Sequence, residues 1–306
     1  MKLRIEAISV LSPTIRRFIL AADDGAPLPV AGAGAHVMVS LPGETRSWRN
    51  AYSVVSGPGM RDHYEIVVRR SQQSRGGSAF LHERAVAGDR LEVGLPQNFF
   101  APSRIAGRHL LLSGGIGITP FLSYIRTLHT PFELHHCCKR EDTPAFAGLL
   151  PSGATNIVLH TNREELNFRT LLAAQKLDTH LYCCGPEDFM NDAFGAARHL
   201  GWPEAKIHRE SFGGVVSGAF FTVHLKKSGL TVQVRQEETL LDALEAAGLE
   251  PPSLCRGGAC GECELPVLAG IPAHHDHYLS DSRRAKNDAI MTCVSRAHTS
   301  ELVLDF

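Results

Sequence analysis

Four cysteines crowd the last fifth of the chain in the pattern Cys255-x4-Cys260-x2-Cys263, followed by Cys293. Four thiolates at that spacing can close on two irons from one compact loop, and x4 followed by x2 is the plant-type [2Fe–2S] ligand pattern. Gly257, Gly258 and Gly261 leave the loop backbone free to point N–H groups at the sulfurs. A structural zinc site is the competing reading, but zinc sites use two short paired turns, which this spacing matches poorly. The other four cysteines, Cys137–Cys138 and Cys183–Cys184, are adjacent pairs inside apolar runs. That arrangement suits a reducing compartment with one local metal cluster, and not a disulfide framework.

At 306 residues the chain is long enough for two domains of ~150, or three small ones. Its 31 Lys+Arg against 32 Asp+Glu leave a formal charge of −1, so no global field draws it onto nucleic acid. A hydrophobic share of 43% with 21% charged residues is that of a globular protein, not a disordered one. No apolar run approaches the ~18 residues of a membrane span, and charges interrupt the apolar positions of the first twenty residues, unlike a signal peptide. The expectation is a cytoplasmic, monomeric protein with no membrane or nucleic-acid partner.

Residues 1–103 read as short strands broken by turn residues, among them HVMVSL, RNAYSVVS, HYEIVVRR and DRLEVGL. Close, regular spacing of this kind predicts a small antiparallel β-barrel, with one helical insert, SAFLHERAV. Residues 104–211 alternate apolar strands (RHLLLSGG, FELHHCC, NIVLHT, HLYCCGP) with helical stretches, which predicts a Rossmann-like parallel sheet under covering helices. A Gly/Ser-rich linker follows at 212–219. In 220–306, a hairpin (FFTVHLKK, LTVQVRQ), the helix TLLDALEAAG, the cysteine loop and a last strand ELVLDF form a third domain.

Two further motifs carry chemistry. Gly114-Gly115-Ile116-Gly117-Ile118-Thr119-Pro120 follows an apolar strand directly. A strand, a glycine turn and a proline-started helix let a pyrophosphate approach backbone N–H groups; Gly115 and Gly117 are the cradle, although the third glycine of the dinucleotide fingerprint is missing. Cys184-Gly185-Pro186 ends another strand, where a nicotinamide ring can lie at the carboxyl edge of the sheet. In the first region, Arg75-Gly76-Gly77-Ser78 opens the helical insert, offering a guanidinium, free N–H groups and a hydroxyl to a phosphate, and Tyr52 is an aromatic lid for a flavin ring.

With these motifs in place, the chain resembles the phthalate dioxygenase reductase family, the one-piece reductases of Rieske-type oxygenases, over nearly its whole length. RGGS, GGIGITP, YCCGP, ESFG and the four-cysteine pattern all stand as that family has them. The resemblance implies a flavin-binding barrel, a nicotinamide domain and a C-terminal ferredoxin (β-grasp) domain, with FMN, NADH and a [2Fe–2S] cluster as cofactors. It implies that Tyr52, Ser53, Val67, Val68 and Arg69 meet the flavin, that Arg75, Gly77 and Ser78 hold its phosphate, that Thr119 and Cys184 border the nicotinamide, and that Phe212 lies near the flavin ring. The partner it implies is a separate Rieske-type terminal oxygenase. The cluster's exit route is expected at the cysteine loop itself, around Arg256, Gly257 and Glu262, where a partner can approach closely in a small, transient encounter. A haem monooxygenase as acceptor, and a non-catalytic redox sensor, are the alternative functions.

One departure stands out. The family's flavin strand reads Arg-x-Tyr-Ser, whereas Arg49 stands three residues before Tyr52. Period-two alternation turns Arg49 to the opposite face and puts Asn50 on the Tyr52 side unless a bulge intervenes, so Arg49 and Asn50 are both candidates for the flavin. Successive residues of His135-His136-Cys137-Cys138 alternate faces and cannot converge on one ion, and His274-His275-Asp276-His277 reads as a solvated loop. The strand ends Lys139-Arg140-Glu141-Asp142 and Asn162-Arg163-Glu164-Glu165 mix charges, leaving NADH and NADPH open on residue types alone; the resemblance favours NADH, with Arg140 near the adenosine.

Overall fold

The computed structural model describes residues 1–43, 48–71, 76–212 and 217–306. They form two compact units, Met1–Glu210 and Ser211–Phe306.

The first unit opens with six strands: β1 (Lys2–Ser12), β2 (Ile15–Ala21), β3 (His36–Leu41), β4 (Trp48–Ser53), β5 (His63–Arg69) and β6 (Arg90–Val93). They pair antiparallel in the order β4-β3-β6-β1-β2-β5. The two edges approach where Val54, just beyond β4, bridges Ile66 of β5, which curls the sheet round on itself. Alternation supplies the filling: Val37, Val39, Leu41, Phe18, Leu20, Tyr64, Ile66 and Val68 point into one core. Helix α1 (Gly77–Glu83) covers it through Leu81.

The same unit continues into β7 (Arg108–Gly114), α2 (Thr119–Ile125), β8 (Phe132–Cys137), α3 (Thr143–Ala147), β9 (Ile157–His160), α4 (Phe168–Ala173), β10 (Thr179–Cys184), α5 (Glu187–His199) and β11 (Ile207–Glu210). The five strands are parallel in the order β11-β10-β7-β8-β9. From β7 the chain steps outward through β8 and β9, then returns to β10 on the other side, so the topological switch point lies between β7 and β10. Helix α5 buries Phe189, Met190, Ala193, Phe194 and Ala197, the helical spacing of a core-facing stripe, against Leu110, Leu112, Leu181 and Cys183. Ile15, Val55 and Val67 of the barrel pack with Ile118, Leu122, Ala145 and Phe146, so the barrel and the helices α2 and α3 share an apolar seam. Among the described residues, no helix is long and apolar enough to cross a membrane.

The second unit comprises β12 (Phe221–Leu225), β13 (Thr231–Val234), α6 (Leu240–Ala246), β14 (Glu264–Ala269), β15 (Pro272–Ala273), α7 (Asp281–Arg284), β16 (Ala289–Met291), β17 (Arg296–Ala297) and β18 (Glu301–Leu304). Its main sheet runs β13-β12-β18-β14-β16, with β12 and β18 parallel and the other pairs antiparallel. Thr239 caps α6 by accepting from the Asp242 N–H, and Leu240, Ala243 and Leu244 turn that helix onto the sheet. This is the β-grasp arrangement.

Candidate functional site

The cysteine loop is held from two sides. Arg256 has φ 50°, a left-handed conformation that costs a non-glycine residue energy. Its guanidinium offsets that cost by donating bidentately to Glu245 (2.6 and 2.8 Å) and to Asp242 (3.0 Å) on α6. The side chain is therefore turned inward, and the expectation that Arg256 faces an approaching partner is corrected: Ala259 and Glu262 are the exposed residues of the loop. From the other side, the segment read as a solvated loop does expose His275 and His277, but Asp276 within it is a buried post. The Asp276 carboxylate accepts from the N–H groups of Tyr278 (3.2 Å) and Leu279 (2.8 Å) and from Ser295 Oγ (3.3 Å), and the His277 N–H donates to the Gly258 carbonyl. Four consecutive polar residues look solvated in sequence because nothing local reveals that one of them serves as the acceptor for a distant turn.

Cys263 and Cys293 sulfurs lie 3.2 Å apart. Cys255 Sγ accepts from the N–H groups of Gly257 and Ala259, both at 3.4 Å, and Cys260 Sγ from the Cys255 N–H at 3.5 Å. The Cys260 thiol and the Gly257 and Ala259 N–H groups lower the Cys255 thiol, against burial that raises it, and the same sharing raises Cys260. Thiolates supplied with backbone donors in a mostly buried loop are the donor set that an iron–sulfur cluster requires.

In the first unit, β4 pairs with β3 in unbroken register, Arg49 opposite Ser40 through Ser53 opposite His36. There is no bulge, so Asn50 and Tyr52 share a face, and Asn50 Nδ2 donates to the Tyr52 hydroxyl at 3.1 Å. Arg49 is exposed on the opposite face. Burial raises the Tyr52 phenol to about 12. Gly77 backs directly onto the Asn50 amide, and Gly76 onto the Trp48 indole; Ser78 Oγ accepts from the Ser71 N–H. Arg75 lies outside the described residues. Of the three adjacent β5 candidates, Val68 points into the barrel core while Val67 packs on the α2–α3 side, and Arg69 leaves the strand on the Val67 face, where it donates to Asp142.

The two loops at the switch point touch through their backbones. A side chain on Gly117 would strike the Cys184 carbonyl, and one on Gly114 would lie 2.7 Å from Pro186 Cδ. Thr119 Oγ1 donates to Ser53 Oγ at 3.3 Å, both buried. Thr119 and Cys184 thus lie at one corner of the parallel sheet, with Ser53 of the barrel against it. Burial pushes the Cys184 thiol well above its ordinary range, which keeps it neutral. Arg140 is exposed beyond β8. Phe212 belongs to the second unit and is 45% exposed.

Some residues near these groups were not singled out from sequence. Glu210 is paired with Cys184 in the sheet register, and His36 Nδ1 lies 4.0 Å from its Oε1. Burial lowers His36 to about 4. Among the described residues, its Nε2 and the Trp48 Nε1 are buried without a hydrogen-bond partner, which is uncommon for buried polar atoms. A polar ligand lying between the barrel and the switch point would satisfy the His36 atom, which stands opposite Ser53, while Trp48 lies at the far end of the same strand beside Gly76; the residues present fit a flavin and a nicotinamide nucleotide. ESFG was the only signal in sequence for Glu210, and none existed for Trp48.

An antiparallel barrel, a parallel sheet with a glycine-lined switch point and a β-grasp unit with a four-cysteine loop define an iron–sulfur oxidoreductase that uses a flavin and a nicotinamide nucleotide. The 2Fe-2S iron-sulfur cluster binding domain family matches residues 223–298. The chain is 39% identical over 307 residues to the heme-dependent oxidative N-demethylase beta subunit of Ectopseudomonas mendocina (strain ymp), covering 99% of this chain and 97% of that protein. It is 34% identical over 319 residues to phthalate dioxygenase reductase of Burkholderia cepacia, covering 100% and 97%. The solved structure of phthalate dioxygenase reductase, described as a modular structure for electron transfer from pyridine nucleotides to [2Fe–2S], superposes with a TM-score of 0.82 at 33% identity, covering 100% of this chain and 98% of that one. The chain belongs to the phthalate dioxygenase reductase family.

Proposed function

We propose that this chain takes a hydride from NADH onto FMN and passes single electrons through the [2Fe–2S] cluster to a separate Rieske-type terminal oxygenase. The observation that carries this reading is the buried Thr119–Ser53 bond, which sets the end of the proposed flavin strand against the start of the helix at the proposed nucleotide turn. When bound, the three cofactors supply hydride acceptance, the two-to-one electron split and the one-electron exit. The protein's part is to bind and orient them.

In this reading, residues 1–103 hold FMN through Asn50, Tyr52, Ser53, Gly77, Ser78 and Arg75. Residues 104–211 hold NADH at Gly115, Gly117, Thr119, Cys184, Gly185 and Pro186, and 212–219 lead to the ferredoxin domain at 220–306. Asn50 takes the place that Arg49 would have had, because the regular register supports no bulge. The buried Cys184 thiol is held neutral, so it puts no reactive thiolate at the nicotinamide corner. Cys255, Cys260, Cys263 and Cys293 hold the cluster, and the exposed Ala259 and Glu262 give the partner a close approach; such redox encounters are small and transient.

The test is reconstitution. Protein extracted in acid releases FMN, and recovery of FAD instead would refute the flavin assignment. NADH-driven turnover with a Rieske-type terminal oxygenase is expected. A second acceptor is favoured by one observation, the 39% identity to a subunit named for heme-dependent N-demethylation: turnover with a haem oxygenase and none with any Rieske component would move the proposal there.

A further inference from the structure

We propose that Trp48 donates its indole N–H to the phosphate of the bound flavin, so that Trp48 and Asn50 together are the donors strand β4 brings to the Gly76–Gly77 turn. This rests on the FMN reading above and adds to it a residue that no sequence motif marks.

Alternation along β4 puts Trp48, Asn50 and Tyr52 on one half-buried face and leaves Arg49 exposed on the other. The face that meets the turn therefore carries no cation, only neutral donors. Both of them are aimed at the turn. A Cβ on Gly77 would strike Asn50 Nδ2, and a Cβ on Gly76 would strike Trp48 Cζ2 and Cε2. Cε2 is the ring carbon bonded to Nε1, so the indole edge that carries the N–H is the edge laid against the turn. Gly76 has φ 128°, a conformation that favours glycine in any case.

Trp48 Nε1 is the atom left over. Among the described residues it is buried with no hydrogen-bond partner, and a buried indole N–H ordinarily has one. Asn50 spends one amide hydrogen on the Tyr52 hydroxyl at 3.1 Å and has a second to give. An indole offers a donor and no acceptor, so its ligand must be an acceptor, and a phosphate monoester presents three strongly accepting oxygens. Position agrees with this end of the flavin. Trp48 and Ser53 are the two ends of β4, about 16 Å apart along an extended strand. A flavin whose ring lies at Ser53 reaches Trp48 with its phosphate.

The competing explanation is that the indole only packs beneath the turn, at the rim of the barrel core. Trp48→Phe separates the two, because it keeps an aromatic ring against Gly76 and removes the N–H. The full-length protein, stripped of flavin, is titrated by fluorescence with FMN and with riboflavin, which lacks the phosphate. Trp48→Phe is expected to raise the FMN Kd about 10- to 100-fold, the loss of one charge-assisted bond, and to leave the riboflavin Kd unchanged. A second readout needs no change at Trp48. The chain has two tryptophans, so Trp202→Phe labelled with 15N-tryptophan shows the Trp48 indole alone. Its N–H signal should move downfield with FMN and not with riboflavin.

Equal losses of FMN and riboflavin affinity in Trp48→Phe would leave only packing and overturn the proposal. Unchanged FMN affinity in that variant, or an indole signal indifferent to the phosphate, would overturn it as well. Arg75→Ala tests the parent reading. If the wild-type protein binds FMN no more tightly than riboflavin, the turn is no phosphate site and both readings fall. If Arg75→Ala weakens FMN while Trp48→Phe does not, the turn holds the phosphate and only the role of Trp48 fails.

Discussion

Thr119 Oγ1 donates to Ser53 Oγ across 3.3 Å in a fully buried bond, although Thr119 opens helix α2 beside the parallel sheet, Ser53 ends a barrel strand, and the two stand 66 positions apart in sequence. If the flavin and the nicotinamide meet at this corner, the bond fixes the gap across which they react. Thr119→Val keeps the shape and removes the donor, at a cost of about 1 kcal/mol for a neutral hydrogen bond. The rate of flavin reduction by NADH, followed by rapid mixing, should fall roughly fivefold with flavin content unchanged. Ser53→Ala should do the same, and the double variant should add little. Wild-type rates in both single variants would show that the bond only packs the seam.

Cys293→Ser should remove the cluster while leaving the flavin half working. Cys293 is buried beside Cys263 in the second compact unit, and both proposed hydride-transfer partners lie in the first. NADH-driven ferricyanide reduction, which needs only the flavin, should persist. Cytochrome c reduction and the electron paramagnetic resonance signal of the reduced protein should be lost. Equal loss of both activities in a folded, flavin-loaded variant would contradict a flavin-before-cluster order.

Asp276→Ala should loosen the cysteine loop. The carboxylate accepts two backbone N–H groups and the Ser295 hydroxyl, and removing such a buried acceptor leaves those donors stranded at roughly 1–3 kcal/mol each. Cluster absorbance should bleach several-fold faster in air than in the wild type, with flavin content unaffected. A cluster of normal lifetime in the variant would mean that Arg256 alone, through Asp242 and Glu245, holds the loop.

Where sequence succeeded, the governing rule was local. Period-two alternation put Asn50 beside Tyr52, and the β4 register bears that geometry out; cysteine spacing and glycine turns are likewise readable within a dozen residues. Where it failed, the cause was a distant partner. Asp142 stands in a charged run at a strand end, and only its pairing with Arg69, 73 positions earlier, makes it a buried anchor. Asp276 hid in a histidine-rich stretch for the same reason. β14 went unread because Pro266 interrupts it; proline forfeits a ladder donor, yet the Pro266 carbonyl still accepts from the Asp305 N–H.

Acid should destabilise the first unit before most carboxylates titrate. Burial holds His36 at about 4, His136 at about 3 and His208 at about 4, against an ordinary 6.5. The unfolded chain takes up these protons first, so the stability is whole above about pH 6.5 and drains away as pH falls toward 4. Each tenfold difference in proton affinity between the folded and unfolded chain is worth up to about 1.4 kcal/mol. Thermal melts should therefore fall steeply between about pH 6.5 and pH 4.5. His136→Gln, which can keep a bond to Ser113, now 2.9 Å from the imidazole, should flatten the slope. A melting temperature independent of pH across that window would show that the imidazoles take up protons without loss.

Coenzyme choice should favour NADH over NADPH. Of the charges after β8, Asp142 is consumed by Arg69 and Ser12, which leaves Glu141 exposed to accept from a free 2′-hydroxyl and to repel a 2′-phosphate. After β9, Arg163 is committed to Asp192 at 2.8 Å and lies 4.2 Å over the Phe168 ring, so it is poorly placed to greet a phosphate. Arg140 is the exposed cation nearest this end of β8 in sequence after Lys139, and two roles are open to it. If it stacks on the adenosine, Arg140→Ala lowers kcat/KM for NADH and NADPH by the same factor and leaves their ratio alone. If it reads a 2′-phosphate, the variant loses NADPH activity selectively. We expect the first outcome, with NADH preferred at least tenfold, about 1.4 kcal/mol. A wild-type kcat/KM for NADPH equal to that for NADH, together with selective loss of NADPH in the variant, would reverse the assignment of Arg140.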